Sequence, residues 1–98
     1  MAKDAAEVAP HVYKAVFEND RVRLLEVRMK PGAESAVHAH PDGLVYALSD
    51  GTVKLTAASG ESAEVEIKQG ETMWREAEEH SALNTGTTEL VALFLELK

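Results

Sequence analysis

Cysteine is absent from the 98-residue chain, which excludes disulfides, iron–sulfur clusters and thiol catalysis and leaves histidine and carboxylate as the strong candidate metal ligands. Glycine and proline are scarce, at six and three residues, so neither a disordered tract nor a collagen-like repeat is expected. No window approaches the roughly 20 apolar residues of a membrane span. The opening stretch, MAKDAAEVAPHVYK, carries Asp4 and Glu7 where a secretory signal would be continuously apolar. A cytoplasmic location with no membrane partner is the expectation. Basic residues are also outnumbered, ten Lys and Arg against seventeen Asp and Glu, for a formal charge of −7. Binding a polyanion needs clustered cations, and the one basic run, Arg21, Arg23, Arg28 and Lys30, has Asp20 and Glu26 among it. Nucleic acid is not an expected partner.

What is present is enough apolar material, 45% of the residues, for one core in a domain that buries roughly 60–65% of its unfolded surface. A single domain over residues 1–98 is expected, with residues 1–10 as a flexible N-terminal segment. Short extended runs separated by turn signals, without a sustained helical period, point to an all-β sandwich or barrel. Residues 11 to 18 and 21 to 30 are strand-like and meet at Asn19-Asp20 in an opening hairpin. Within the second run the apolar parity changes between Leu24 and Leu25, which predicts a β-bulge there. Extended structure resumes after Pro31-Gly32 and breaks again at Pro41-Asp42-Gly43, placing His38 and His40 at a strand end. Residues 44 to 49 and 52 to 58 flank Asp50-Gly51, read as a type I′ hairpin. Further strands are expected over 62 to 68, 72 to 75, 80 to 84 and 89 to 97, the last apolar on both faces and so needing a second sheet or a second subunit as cover.

His38 and His40 are the chemistry-bearing pair. Two positions apart on a strand, their imidazoles share a face at a backbone separation of about 6.5–7 Å. An ion bound by both needs a further ligand, and His80, opening another expected strand, is the obvious supplier. The fourth histidine, His11, is expected at an edge facing solvent or a subunit interface.

These residues resemble the motifs of the cupin superfamily. Its first motif runs Gly, five residues, His-x-His, three or four residues, Glu, six residues, Gly, and here Gly32, His38, His40 and Gly51 fall in place. The second ends in His with Asn four positions later and a Gly about ten residues upstream, matched by Gly70, His80 and Asn84, although its internal Pro and Gly are replaced by the Glu76–Glu79 region. The resemblance spans roughly residues 20 to 97. It implies a cupin-type double-stranded β-helix (jelly-roll) barrel and a homodimer. Its motif glutamate has no counterpart: Leu44, or Val45 with the longer spacing, stands there.

The site implied is three histidines and one divalent transition metal ion, Fe, Mn, Ni, Cu or Zn, with open positions for a small chelating ligand. If the turn at 41 to 43 preserves phase, Leu44, Tyr46 and Leu48 face the interior with the histidines. Tyr46 is then the phenol that orients a substrate, donates a proton, or merely packs. Asp42, Glu76, Glu78 and Glu79 are the carboxylates near enough in sequence to complete the site, against a plainer role in turns and a solvated loop. Met73 and Trp74 shape the cavity rim or pack in the core or an interface, and Asn84 supports a turn. Carboxylate-free three-histidine cupin sites resemble those of certain ferrous dioxygenases, so an oxygenase-type enzyme is one expectation and a non-enzymatic binding or sensor cupin the other. No serine sits in a nucleophile-elbow context and no phosphate-binding glycine loop is present.

Overall fold

Asn19 closes the first turn by accepting hydrogen bonds at Oδ1 from the backbone N–H groups of Arg21 and Val22 at 2.8 and 2.9 Å. It joins β1 (Tyr13–Glu18) to β2 (Val22–Met29) as the expected antiparallel hairpin. The computed structural model describes residues 3–98. Beyond that hairpin the strands are β3 (Glu34–His40), β4 (Gly43–Ala47), β5 (Gly51–Ala57), β6 (Ser62–Ile67), β7 (Thr72–Arg75), β8 (Glu78–Asn84) and β9 (Leu90–Leu97). They form two antiparallel sheets, a five-stranded one in the order β1-β2-β9-β4-β7 and a four-stranded one in the order β3-β8-β5-β6. Alternating inner side chains of both sheets, among them Leu25, Val27, Met29, Ala47, Ile67, Ala82, Leu90, Ala92 and Phe94, make one buried core.

Two expectations are corrected by this topology. Asp50-Gly51 does not turn a hairpin: β4 pairs with β7 and β9, and β5 with β6 and β8, so the dipeptide carries the chain from one sheet to the other. Gly51 lacks the positive φ that a type I′ turn requires, which among described residues is found at Gly32, Gly60 and Gly70. The bulge lies opposite its expected position, on β1 between Ala15 and Phe17, while β2 runs in unbroken register with β9 from Val22 to Met29. The parity change at Leu24-Leu25 arises because β2 is apolar on both faces: Leu25 is fully buried and Leu24 lies half-buried on the outer face. In the N-terminal segment, expected to be flexible over residues 1–10, the described part lies packed on β1 to β3. Asp4 caps a helical turn, α1 (Ala5–Val8), pairs with Ala39 on β3 and meets Arg23, and Ala5 and Ala9 are fully buried.

The outer face of the larger sheet carries an apolar row across all five strands. Phe17 stands opposite Leu24, Leu24 opposite Leu95, Leu95 opposite Leu44, and Leu44 opposite Trp74. Phe17 and Trp74 are 54% and 52% exposed, and Tyr46 and Leu48 continue the apolar surface on β4 and just beyond. No helix among the described residues is long and apolar enough to cross a membrane.

Candidate metal centre

Strand pairing brings the three histidines together. His38 and His40 share the inner face of β3, and His80 on β8 stands directly opposite His38 in the ladder. All three are buried, at 0%, 4% and 6% exposure, and one ligand nitrogen from each lies within 4.8 Å of the others. An ion about 2.0–2.1 Å from each nitrogen, at tetrahedral or octahedral angles, needs them about 2.9–3.4 Å apart, so a pair at the 4.8 Å limit would close by roughly 1.4–1.9 Å. The donor set fits a transition metal.

The far sides of the rings are fixed. His38 Nδ1 lies 2.7 Å from the Ala36 carbonyl oxygen, His40 Nδ1 2.7 Å from Glu96 Oε2, and His80 Nδ1 2.6 Å from Glu78 Oε1. A carbonyl and two carboxylates only accept, so each Nδ1 carries the proton and donates, and each neutral ring keeps its lone pair on Nε2. Glu96 is itself held by Arg23, whose Nε and Nη2 donate to Oε1 at 2.9 and 2.5 Å, and Arg23 also pairs with Asp4. Burial opposes ionisation of Asp4, but the hydrogen bond and charge of Arg23 outweigh it and lower its pKa. Glu78 follows the same pattern, its lowered pKa set by Arg75 and His80 against burial.

Burial drives His38 down to about 4, with the neighbouring His40 and His80 acting in the same direction. Burial also lowers His80, against the pull of Glu78. The folded state therefore resists protons that the unfolded chain accepts below about pH 6.5, so stability of the metal-free protein falls as pH drops from 6.5 toward 4. Full loss of the His38 contribution amounts to about 3 kcal/mol at about 1.4 kcal/mol per unit. Urea unfolding in the presence of a chelator at pH 6.5 and pH 5 isolates this window above the carboxylates. We expect about 2 kcal/mol lost across it; equal midpoints at the two pH values would mean the histidines titrate normally.

Beside the triad lies a cavity of about 80 Å³, walled by Val27, Met29, Val45, Leu55, Met73 and Phe94, with Tyr13, His40 and His80 on its polar side and Arg75 as its one cation. A cleft of about 250 Å³ on the surface shares Leu55, Val65, Arg75 and His80 with it. The Phe94 ring stacks on His40 at 4.5 Å between centroids.

The phenol of this site is Tyr13. Its hydroxyl donates to His38 Nε2 at 3.1 Å and its ring meets His38 and His40 edge-on. Burial pushes it up to about 12, with the Ser35 hydroxyl pulling the other way. Tyr46, the expected inward phenol, is 44% exposed, and Leu44 and Leu48 at 39% and 41% also face outward. The turn at 41 to 43 does not preserve phase because it carries the chain from the smaller sheet to the larger one, which resets the parity. Val45 takes the inner position. Of the loop carboxylates, Glu78 orients His80 from behind, Asp42 Oδ1 accepts from the Ala77 N–H, and Glu76 is exposed. His11 is exposed and meets the Glu34 carbonyl. Met73 lines the cavity while Trp74 faces out, and Asn84 ties the backbone of Met29, Gly86 and Thr88.

Glu96, Arg23 and Tyr13 were not singled out from sequence. The signal for Glu96 was present: it shares the parity of Leu90, Ala92 and Phe94, a glutamate on the buried face of an apolar strand.

Three buried histidines facing the space between two antiparallel sheets form a site that could hold a metal ion. Residues 25–96 match the family model described as the cupin domain, and the chain belongs to that family. Among solved structures it is similar to a cupin domain from Bordetella pertussis Tohama I, 29% identical over 100% of this chain and 98% of that one, with a TM-score of 0.81. It is also similar to an uncharacterized conserved protein with a double-stranded β-helix domain from Klebsiella pneumoniae, at 20% identity, TM-score 0.70 and coverage of 88% and 75%. The polyketide cyclase RemF from Streptomyces resistomycificus shares the fold at 20% identity and TM-score 0.63, with 87% and 63% covered. A search of curated proteins matches none.

Proposed function

We propose that His38, His40 and His80 hold one divalent transition metal ion and that the protein acts on a small chelating organic compound by oxygenase-type chemistry, in the manner of a ferrous dioxygenase. The observation that carries the reading is the committed Nδ1 of all three buried rings, which leaves the Nε2 lone pairs of His40 and His80 for one ion, joined by that of His38 once the Tyr13 hydrogen bond to it gives way. When bound, the metal supplies Lewis-acid and redox chemistry and open positions for a chelating ligand. The protein's share is to exclude water with the apolar wall, to orient the rings through Glu78, Glu96 and Ala36, and to offer Arg75 at the mouth for an anionic group. The cavity's size favours a second reading, since about 80 Å³ is far below the ~300–1,000 Å³ of most ligand pockets. In that reading the chain is a binding or sensor cupin without turnover.

Elemental analysis of untagged protein grown with ample metal tests the site. About one equivalent is expected in the native chain and less than about a tenth in His38→Ala/His80→Ala, since two of three ligands are gone. A native protein below a tenth of an equivalent sinks the metal reading. Oxygen uptake by iron-loaded protein over diketones, thiols and hydroxy acids then separates the two functions, and full iron occupancy without uptake leaves the binding reading.

We also propose a homodimer built on the outer face of the larger sheet, because an apolar row from Phe17 to Trp74 is more than monomers usually expose. Light scattering should give twice the 10.6 kDa chain mass. Leu44→Glu with Trp74→Glu should return the monomer, with the fold intact. Native protein at the monomer mass would rule this out.

A further inference from the structure

We propose that Tyr13 is the fourth protein ligand of the ion and binds it as phenolate, an inference that rests on the three-histidine reading above.

The phenol oxygen lies beside the nitrogen an ion would take, and an ion entering there displaces the hydrogen bond between them. His38 Nδ1 is committed to the Ala36 carbonyl, so the atom receiving the Tyr13 hydrogen bond, Nε2, is the one a metal takes. The oxygen lies 3.1 Å from that nitrogen. Two ligand atoms each about 2.0–2.1 Å from one ion, at octahedral or tetrahedral angles, are about 2.9–3.4 Å apart. The phenol ring also packs edge-on against both His38 and His40, at 5.0 and 5.2 Å between centroids, within the triad itself.

Charge points the same way. Three neutral imidazoles bring no negative charge to a divalent ion, the carboxylates behind them are paired with Arg23 and Arg75, and a buried charge is costly unless paired. The position matching the family's motif glutamate is Leu44, which faces outward at 39% exposure. Glu78 and Glu96 are occupied at the Nδ1 sides of His80 and His40. Tyr13 supplies the negative charge from the ligand side.

In the binding step the Tyr13 O–H bond breaks, its electron pair forms the oxygen–metal bond, and the proton passes to solvent. No electron changes hands.

Copper(II) titration of the full chain tests this, because the chain has two tyrosines and a copper-bound phenolate has its own visible charge-transfer band and ring modes in resonance Raman. We expect the band to appear with the first equivalent, to persist in Tyr46→Phe and to vanish in Tyr13→Phe while copper is still bound. Copper bound without a phenolate band, or a band lost in Tyr46→Phe instead, overturns the assignment but leaves the histidine site standing. No copper uptake at all removes the site and the proposal together. If Tyr13→Phe does not fold, the native chain and Tyr46→Phe decide between these outcomes alone.

Discussion

Glu96→Ala is expected to cost about 3–5 kcal/mol, the range found when one partner of a buried ion pair is removed, and so a large part of the roughly 5–15 kcal/mol that stabilises a small domain. The side chain is 2% exposed and serves two donors at once, Arg23 at Oε1 and His40 Nδ1 at Oε2. Truncation strands both. Arg23 keeps Asp4, but the imidazole N–H loses its acceptor in an interior without a replacement. Glu96→Gln preserves volume and one acceptor and should cost less. Its effect should appear at the metal, because loss of a group that orients a ligating histidine typically weakens metal affinity 10–100-fold. Thermal melting and metal-binding calorimetry on both variants check this. If Glu96→Ala melts within a few degrees of the native protein, the carboxylate is not the anchor described here.

That carboxylate also ties the N-terminal turn to the site. Asp4 caps α1, bridges to Ala39 between the two β3 histidines, and shares Arg23 with Glu96. The chain thereby links its first described residues to the His40 ring through three charged groups in series. A loss of order in the N-terminal segment of Glu96→Ala, seen as faster amide exchange at Ala6, Val8 and Ala9, would follow from the same cause.

The triad itself was legible because its geometry is local. HxH on a strand places two rings on one face regardless of the rest of the fold, and the resemblance named the third. Parity failed beyond His40 because it survives only within one sheet: between His40 and Gly43 the chain changes sheets, and Leu44 and Tyr46 turned outward while Val45 turned in. The phenol was sought on the wrong strand for that reason. Tyr13 reaches His38 from 25 positions away through the packing of β1 against β3, and no spacing rule carries that information. Strand positions, by contrast, were read well, since turn residues and alternation are local. What pairs with what was read poorly at Asp50-Gly51, where a dipeptide with strong hairpin preference serves a crossing between sheets.

Gly43→Ala should be the most disruptive single-methyl change among the glycines whose surroundings are described. A Cβ at this position would lie 2.4 Å from Phe94 Cε1 and 2.5 Å from the Leu95 carbonyl oxygen. The ring can yield, but the oxygen belongs to β9, which is paired on one side with β4 and on the other with β2. Ordinary overpacking costs about 1–3 kcal/mol; with a backbone atom in the way the upper end or beyond is expected. At about 4–8 °C per kcal/mol for a domain of this size, that lowers the melting temperature by roughly 10–25 °C. The second effect falls on the site. Phe94 lies flat on His40, with 21° between the rings at 4.5 Å, and a ring pushed off Gly43 no longer holds that imidazole in place. Metal affinity should therefore fall even under conditions where Gly43→Ala remains folded. By comparison, Gly51→Ala meets only Leu90 side-chain atoms at 3.4 Å or more and should lose little of either. Equal melting temperatures for the two variants would mean that the close approach of β4 to Phe94 does not exist in solution. If so, the flat packing of Phe94 on His40 loses its support from Gly43.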